Sequence, residues 1–83
     1  MSKYTVKPSR DKQWGGVPIE TIHYGYDSTI GYWCDIMGED GCLFVGCSRF
    51  DGITGDKLWD ILFDITVFVP QAHRSAMLLG QEF

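Results

Sequence analysis

Residues 30–48, IGYWCDIMGEDGCLFVGCS, decide the fold. Two runs rich in aromatic and β-branched residues flank Gly38-Glu39-Asp40-Gly41, a turn cluster whose closing glycine supplies positive φ. That pattern spells a β-hairpin with strands over 30–37 and 42–48. Alternation puts Ile30, Tyr32, Cys34 and Ile36 on one face of the first strand, and Gly31, Trp33, Asp35 and Met37 on the other. A two- or four-residue loop pairs Ile36 with Leu43, Cys34 with Val45 and Tyr32 with Cys47, which makes one face almost wholly apolar. It also sets Trp33 opposite Gly46, where a large ring covers bare backbone. A three-residue loop with a Gly41 bulge shifts the pairing by one and mixes Asp35 with Val45. The first register is the expected one, and it places Trp33, Phe44 and Met37 opposite the face of Tyr32, Val45 and Cys47.

Working outward, residues 19–26 (IETIHYGY) alternate in the same way, with Ile22, Tyr24 and Tyr26 on one side. Asp27-Ser28-Thr29 is the turn that leads into the hairpin. Residues 3–7 (KYTVK) make a short edge strand that Pro8 ends. Residues 8–18 (PSRDKQWGGVP) read as an irregular loop tacked to the body by Trp14.

From residue 54 the period changes. Thr54 is an N-cap, and Asp56 in the first turn complements the helix dipole. Leu58, Ile61, Leu62 and Ile65 fall at i, i+3, i+4 and i+7, the core face of an amphipathic helix. Asp56, Asp60 and Asp64 occupy the opposite stripe. The run TVFV at 66–69 ends that helix near Asp64, and Pro70 opens a second one. Its buried stripe is Ala72, Ala76 and Leu79, and Gly80 stops it.

These elements predict an α+β fold, a three- or four-stranded antiparallel meander followed by two C-terminal helices packed on one face. The chain reads as a single domain over 1–83, with a basic arm and loop (1–18), the meander (19–48) and the helices (54–79). Its expected core joins Leu58, Ile61 and Leu62 to Tyr32, Cys34, Ile36 and Val45. At 83 residues, folding buries only about 60 to 65% of the surface the unfolded chain exposes.

Composition narrows the function classes. Apolar residues make up 45% of the chain and aromatics 14%, enough to offset the entropy of ordering. No apolar run approaches the roughly 20 residues of a membrane span. The opening MSKYTVKPSRDKQ lacks the apolar stretch of a secretory signal, so the expected setting is cytoplasmic with reduced thiols. The net charge of −4 is unevenly spread. Lys3, Lys7, Arg10 and Lys12 against Asp11 make the first 13 residues +3, and the remaining 70 carry −7. Such a body repels phosphate, which argues against direct nucleic-acid binding and favours a basic protein surface as partner.

Motifs for chemistry are sparse. Cys34, Cys42 and Cys47, with His23, are the metal-ligand candidates, but no C-x2-4-C pair presents two thiolates to one ion. In the expected hairpin Cys34 and Cys47 face one side and Cys42 the other, as small core hydrophobes would. A cysteine nucleophile would need His23 or His73 within reach. Asp60 and Asp64 lie on a solvated helix face without the cleft that paired catalytic carboxylates require. Asp51-Gly52 and Thr54-Gly55 lack the lysine of a phosphate-binding loop. The expectation is a non-enzyme with no cofactor and no metal.

What stands out is surface. Trp59 and Phe63 widen the apolar arc of the first helix to about 200°, beyond the roughly 100° needed to cover a sheet. Large rings on an acidic surface mark a binding patch. The expected partner-binding residues are Trp33, Phe44, Asp56, Trp59, Asp60, Phe63 and Asp64.

Three stretches carry a resemblance: Tyr24-Gly-Tyr-Asp through Gly31-Tyr-Trp, Phe50-Asp-Gly-Ile-Thr-Gly, and Val69-Pro-Gln-Ala-His-Arg. Together they look like small prokaryotic and phage proteins without an assigned role, and no motif among them transfers a function. In size, acidity and aromatic content the chain is similar to small phage inhibitors, including anti-CRISPR proteins. That resemblance implies an inhibitor occupying a basic groove on a nucleic-acid-handling protein complex. A homodimer is a further expected way to bury the patch. The alternative is a thiol- or metal-dependent protein using Cys34, Cys42 and Cys47.

Overall fold

A computed structural model describes residues 2–66 and 68–83. Six strands come first: β1 (Tyr4–Val6), β2 (Gln13–Trp14), β3 (Val17–Pro18), β4 (Thr21–Asp27), β5 (Gly31–Gly38) and β6 (Gly41–Cys47). Three helices follow: α1 (Ser48–Asp51), α2 (Gly55–Ile65) and α3 (Gln71–Leu79). The main sheet is antiparallel with the order β1-β4-β5-β6. Local chemistry sets its corners. The Asp27 carboxylate accepts from the Thr29 amide at 2.9 Å and the Thr29 hydroxyl at 2.7 Å, which closes the β4–β5 turn. The expected loop at 8–18 holds a small ribbon instead, β2 against β3, closed by Gly15 and Gly16 at φ 60° and 83°.

The β5–β6 hairpin departs from its expected register. Gly38 faces Gly41 and Met37 faces Cys42, as a two-residue turn requires. A register shift between Ile36 and Met37 then moves every later pair by one, so Ile36 faces Phe44, Cys34 faces Gly46 and Asp35 faces Val45. The bulge turns Phe44 onto the face of Tyr32, Cys34 and Ile36, and turns Val45 away to stand 64% exposed. Two expectations are thereby corrected: Val45 is outside the core, and Phe44 does not share a face with Trp33. The idea of a ring over a glycine survives on the other neighbour. Trp33 pairs with Gly25, and a Cβ there would lie 3.0 Å from its indole Cζ2.

One face of the sheet carries the core. Ile22, Tyr24, Cys34 and Ile36 pack against Leu58, Leu62 and Ile65 of α2 and Met77 of α3, all essentially sealed from solvent. The Thr54 side chain accepts from the Lys57 amide, and Gly80 closes α3 in the left-handed conformation. Gly55 lets the helices meet, since a Cβ there would collide with the Met77 carbonyl. α3 buries Ala76 and Met77, while Ala72 and Leu79 are exposed, so its expected stripe is displaced. The cause is His73, one residue past Ala72, which packs 4.0 Å from the Tyr4 ring and 5.2 Å from the Phe83 ring. Pro70 is the N-cap of α3, one position before that expected. Val67, part of the run expected to end α2, lies outside the described residues.

Candidate interaction site

With Leu58, Leu62 and Ile65 facing the sheet, the 3.6-residue period turns Asp56, Asp60 and Asp64 outward. All three are exposed. Phe63 flanks this stripe, by that period roughly 20° around the axis from Asp56, 60° from Asp60 and 100° from Asp64. It is 73% exposed. An aromatic ring on the solvent face contributes little to this fold, because the surface it could bury remains in water.

Trp59 occupies the shoulder of the same face. The Arg74 guanidinium of α3 lies 5.2 Å from its ring centre, and the Phe63 ring stands 5.7 Å away. That cover leaves Trp59 half-buried and makes Phe63 the more available ring. Asp64 reaches Lys12 of the N-terminal arm at 3.7 Å, an exposed pair that leaves Asp56 and Asp60 as the open carboxylates of the stripe among the described residues. Of the expected partner-binding residues, α2 therefore gathers Asp56, Trp59, Asp60, Phe63 and Asp64 on one surface.

Trp33 and Phe44 are not brought together. Phe44 lies on the helix-covered side, its ring 5.1 Å from Trp14. Trp33 is 6% exposed on the opposite side, where with Cys47 it floors a shallow groove of about 370 Å³, and Val45 stands exposed at its side. Phe50 of α1, Ile30, Lys3 and Asp35 wall the groove. The Trp33 indole N–H is buried and has no hydrogen-bond partner among the described residues. Sequence reading missed Val45, Phe50 and Lys3 at this groove. Phe50 carried a usable signal, a phenylalanine between Arg49 and Asp51 with no apolar periodicity to take it inward.

The thiols sit apart. Cys34 points into the core, where burial first, then Asp35 and Cys42, push its pKa up to about 12, so it stays a thiol. Cys47 pairs with Trp33 and Cys42 with Met37, both on the other face. The expected facing of Cys34 with Cys47 is corrected by the same bulge. Among the described residues no three His, Cys, Asp or Glu side chains converge on a metal-sized space. His23 bonds Thr5 Oγ1 at 2.9 Å through Nδ1 and faces Asp35 across the β4–β5 ladder, and His73 bonds the Tyr24 hydroxyl. Neither histidine approaches a cysteine within hydrogen-bond distance among the described residues.

Comparison of the chain with family models, curated proteins and solved structures finds no match.

Proposed function

We propose that this chain is a non-enzymatic interaction protein that docks the outer face of α2 on a basic surface of a larger protein or protein complex. Phe63 carries the reading, a 73% exposed ring at the edge of a stripe of three exposed carboxylates on the solvent side of α2. Charges of one sign beside a ring divide the work of binding. The carboxylates steer encounter and the ring, once desolvated, slows escape. The acidic body extends that field beyond the helix and opposes direct contact with phosphate. In its sharper form the partner is a nucleic-acid-handling complex, and the helix occupies the basic groove its nucleic acid would use, as a phage-type inhibitor does. The compartment proposed for this encounter is the cytoplasm.

Affinity capture with matched baits tests the reading. Wild type, Phe63→Ala and Asp56→Asn/Asp60→Asn/Asp64→Asn proteins are immobilised and exposed to the same host lysate. The reading expects a basic protein held by wild type, lost from both variants and released by moderate salt. A partner retained equally by all three baits would remove α2 from the interface.

A further inference from the structure

We infer that the sheet face turned away from α2 and α3 is a self-association surface, on which a second copy of this chain docks face to face over the groove that Trp33 floors. The groove there is apolar at its centre. Trp33 and Cys47 form its floor, and Val45 and Phe50 stand 64% and 75% exposed beside it. α2 and α3 pack on the other face of the sheet, so Val45 and Phe50 stand exposed on this side beside a floor, Trp33 and Cys47, that the chain already buries.

The charged lining says what fits. Only two lining groups carry charge, Lys3 and Asp35, and they are of opposite sign. Neither is ion-paired within the chain among the described residues. Lys3 precedes β1 at one edge of the sheet, whereas Asp35 lies in the central strand β5, two residues beyond Trp33. A two-fold axis in the plane of the interface, between these two positions, lays Lys3 of each copy over Asp35 of the other. Trp33 then falls close to the axis. Such a surface is self-complementary, as an isologous interface requires. The basic partner proposed for α2 has no reason to choose it, because the groove lining is balanced in charge.

Face packing is also favoured over strand addition. The outer edge of β6 is closed at one end, where the Cys47 amide donates to Asp51 Oδ2 at 2.9 Å and the Cys47 carbonyl accepts from the Ile53 amide at 3.5 Å. At its other end the bulge beside Cys42 and Leu43 breaks the edge. Little continuous backbone is left for a new strand. Sheet-to-sheet packing keeps both helical layers outward, so a dimer presents α2 twice.

Sedimentation velocity in reducing buffer, from low micromolar to several hundred micromolar, reads this directly. The mass is expected to climb from 9.4 kDa toward twice that value. Phe50→Asp should weaken the dimer at least about tenfold without unfolding the chain, since its ring is in water. Lys3→Glu and Asp35→Lys should each weaken it, and the double variant should restore it, a reciprocity that only pairing between copies gives. Phe63→Ala should leave the dimer unchanged, which separates this surface from the one on α2. A monomer mass throughout, a dimer that Phe50→Asp leaves intact, or charge swaps without rescue would each overturn the inference.

Discussion

The Tyr24 hydroxyl lies 2.7 Å from His73 Nδ1, which joins the second strand of the main sheet to the last helix across 49 residues of sequence. Tyr4 and Phe83 pack on both rings, so this one contact ties the two ends of the chain to the core.

Stability should therefore bend at both ends of the pH scale. Burial lowers the His73 pKa below its ordinary 6.5. As pH falls through 6.5 the unfolded chain takes up the proton first, so stability declines, and the loss is complete below the folded-state pKa. Burial, then Tyr4, push the Tyr24 pKa from 10.0 up to about 12. Above pH 10 the unfolded phenol ionises first, and stability falls again toward pH 12. Melting temperature against pH checks both limbs. His73→Phe should flatten the acid limb, and Tyr24→Phe should reduce the alkaline one, where Tyr32, also raised chiefly by burial, contributes the remainder.

Leu62 is fully buried between α2 and the sheet. Leu62→Ala is expected to cost about 2–5 kcal/mol, a large share of the stability of so small a domain. Urea titration measures it. A midpoint close to wild type would contradict the packing of α2 on the sheet.

Gly55→Ala sets two effects against each other. Alanine is the better helix former by about 1 kcal/mol in a helix interior, and by less at a first position. Its Cβ, however, would run into the Met77 carbonyl, which is backbone and cannot rotate away. Net destabilisation of about 1–3 kcal/mol is expected as α3 is pushed off α2. Chemical denaturation that shows a gain in stability would show that the helices do not approach this closely.

The bulged hairpin makes a paired test. Val45→Thr, in water, should change stability by less than about 0.5 kcal/mol. Phe44→Ala, packed on Trp14, should cost about 1–3 kcal/mol, less than a fully buried phenylalanine. The unbulged register expects the opposite order, so thermal melts of the two variants decide between them.

That hairpin also marks where reading the sequence runs out. Gly38 and Gly41 specify the turn, and alternation specifies which face each β5 residue takes. Nothing in Leu43-Phe44-Val45 marks which residue is extra, because all three are apolar and fit either pairing. Only the core decides, since Phe44 then packs on Trp14, and Ile53 and Phe44 fill the space over Gly46. α2 was legible in its cap, period and acid stripe, which agree, although Ile61, expected in the core, is only partly buried against it. α3 was half legible: Ala76 and Gly80 fall in place, while its facing is set by the distant Tyr24–His73 contact. α1 is four residues long, too short for any period, so for the Phe50 wall of the groove the sequence offered only a phenylalanine set between two charged residues.

Docking through the outer face of α2 is read out by the association rate constant of the captured partner. It is measured by stopped flow at several ionic strengths for wild type and for Asp56→Asn/Asp60→Asn/Asp64→Asn. The account expects wild-type association to fall steeply with salt, and the triple variant to associate about tenfold more slowly at low salt with a flattened dependence. Phe63→Ala should mainly speed dissociation in the same assay. Association of the triple variant at the wild-type rate, with the wild-type salt dependence, would contradict docking through this face.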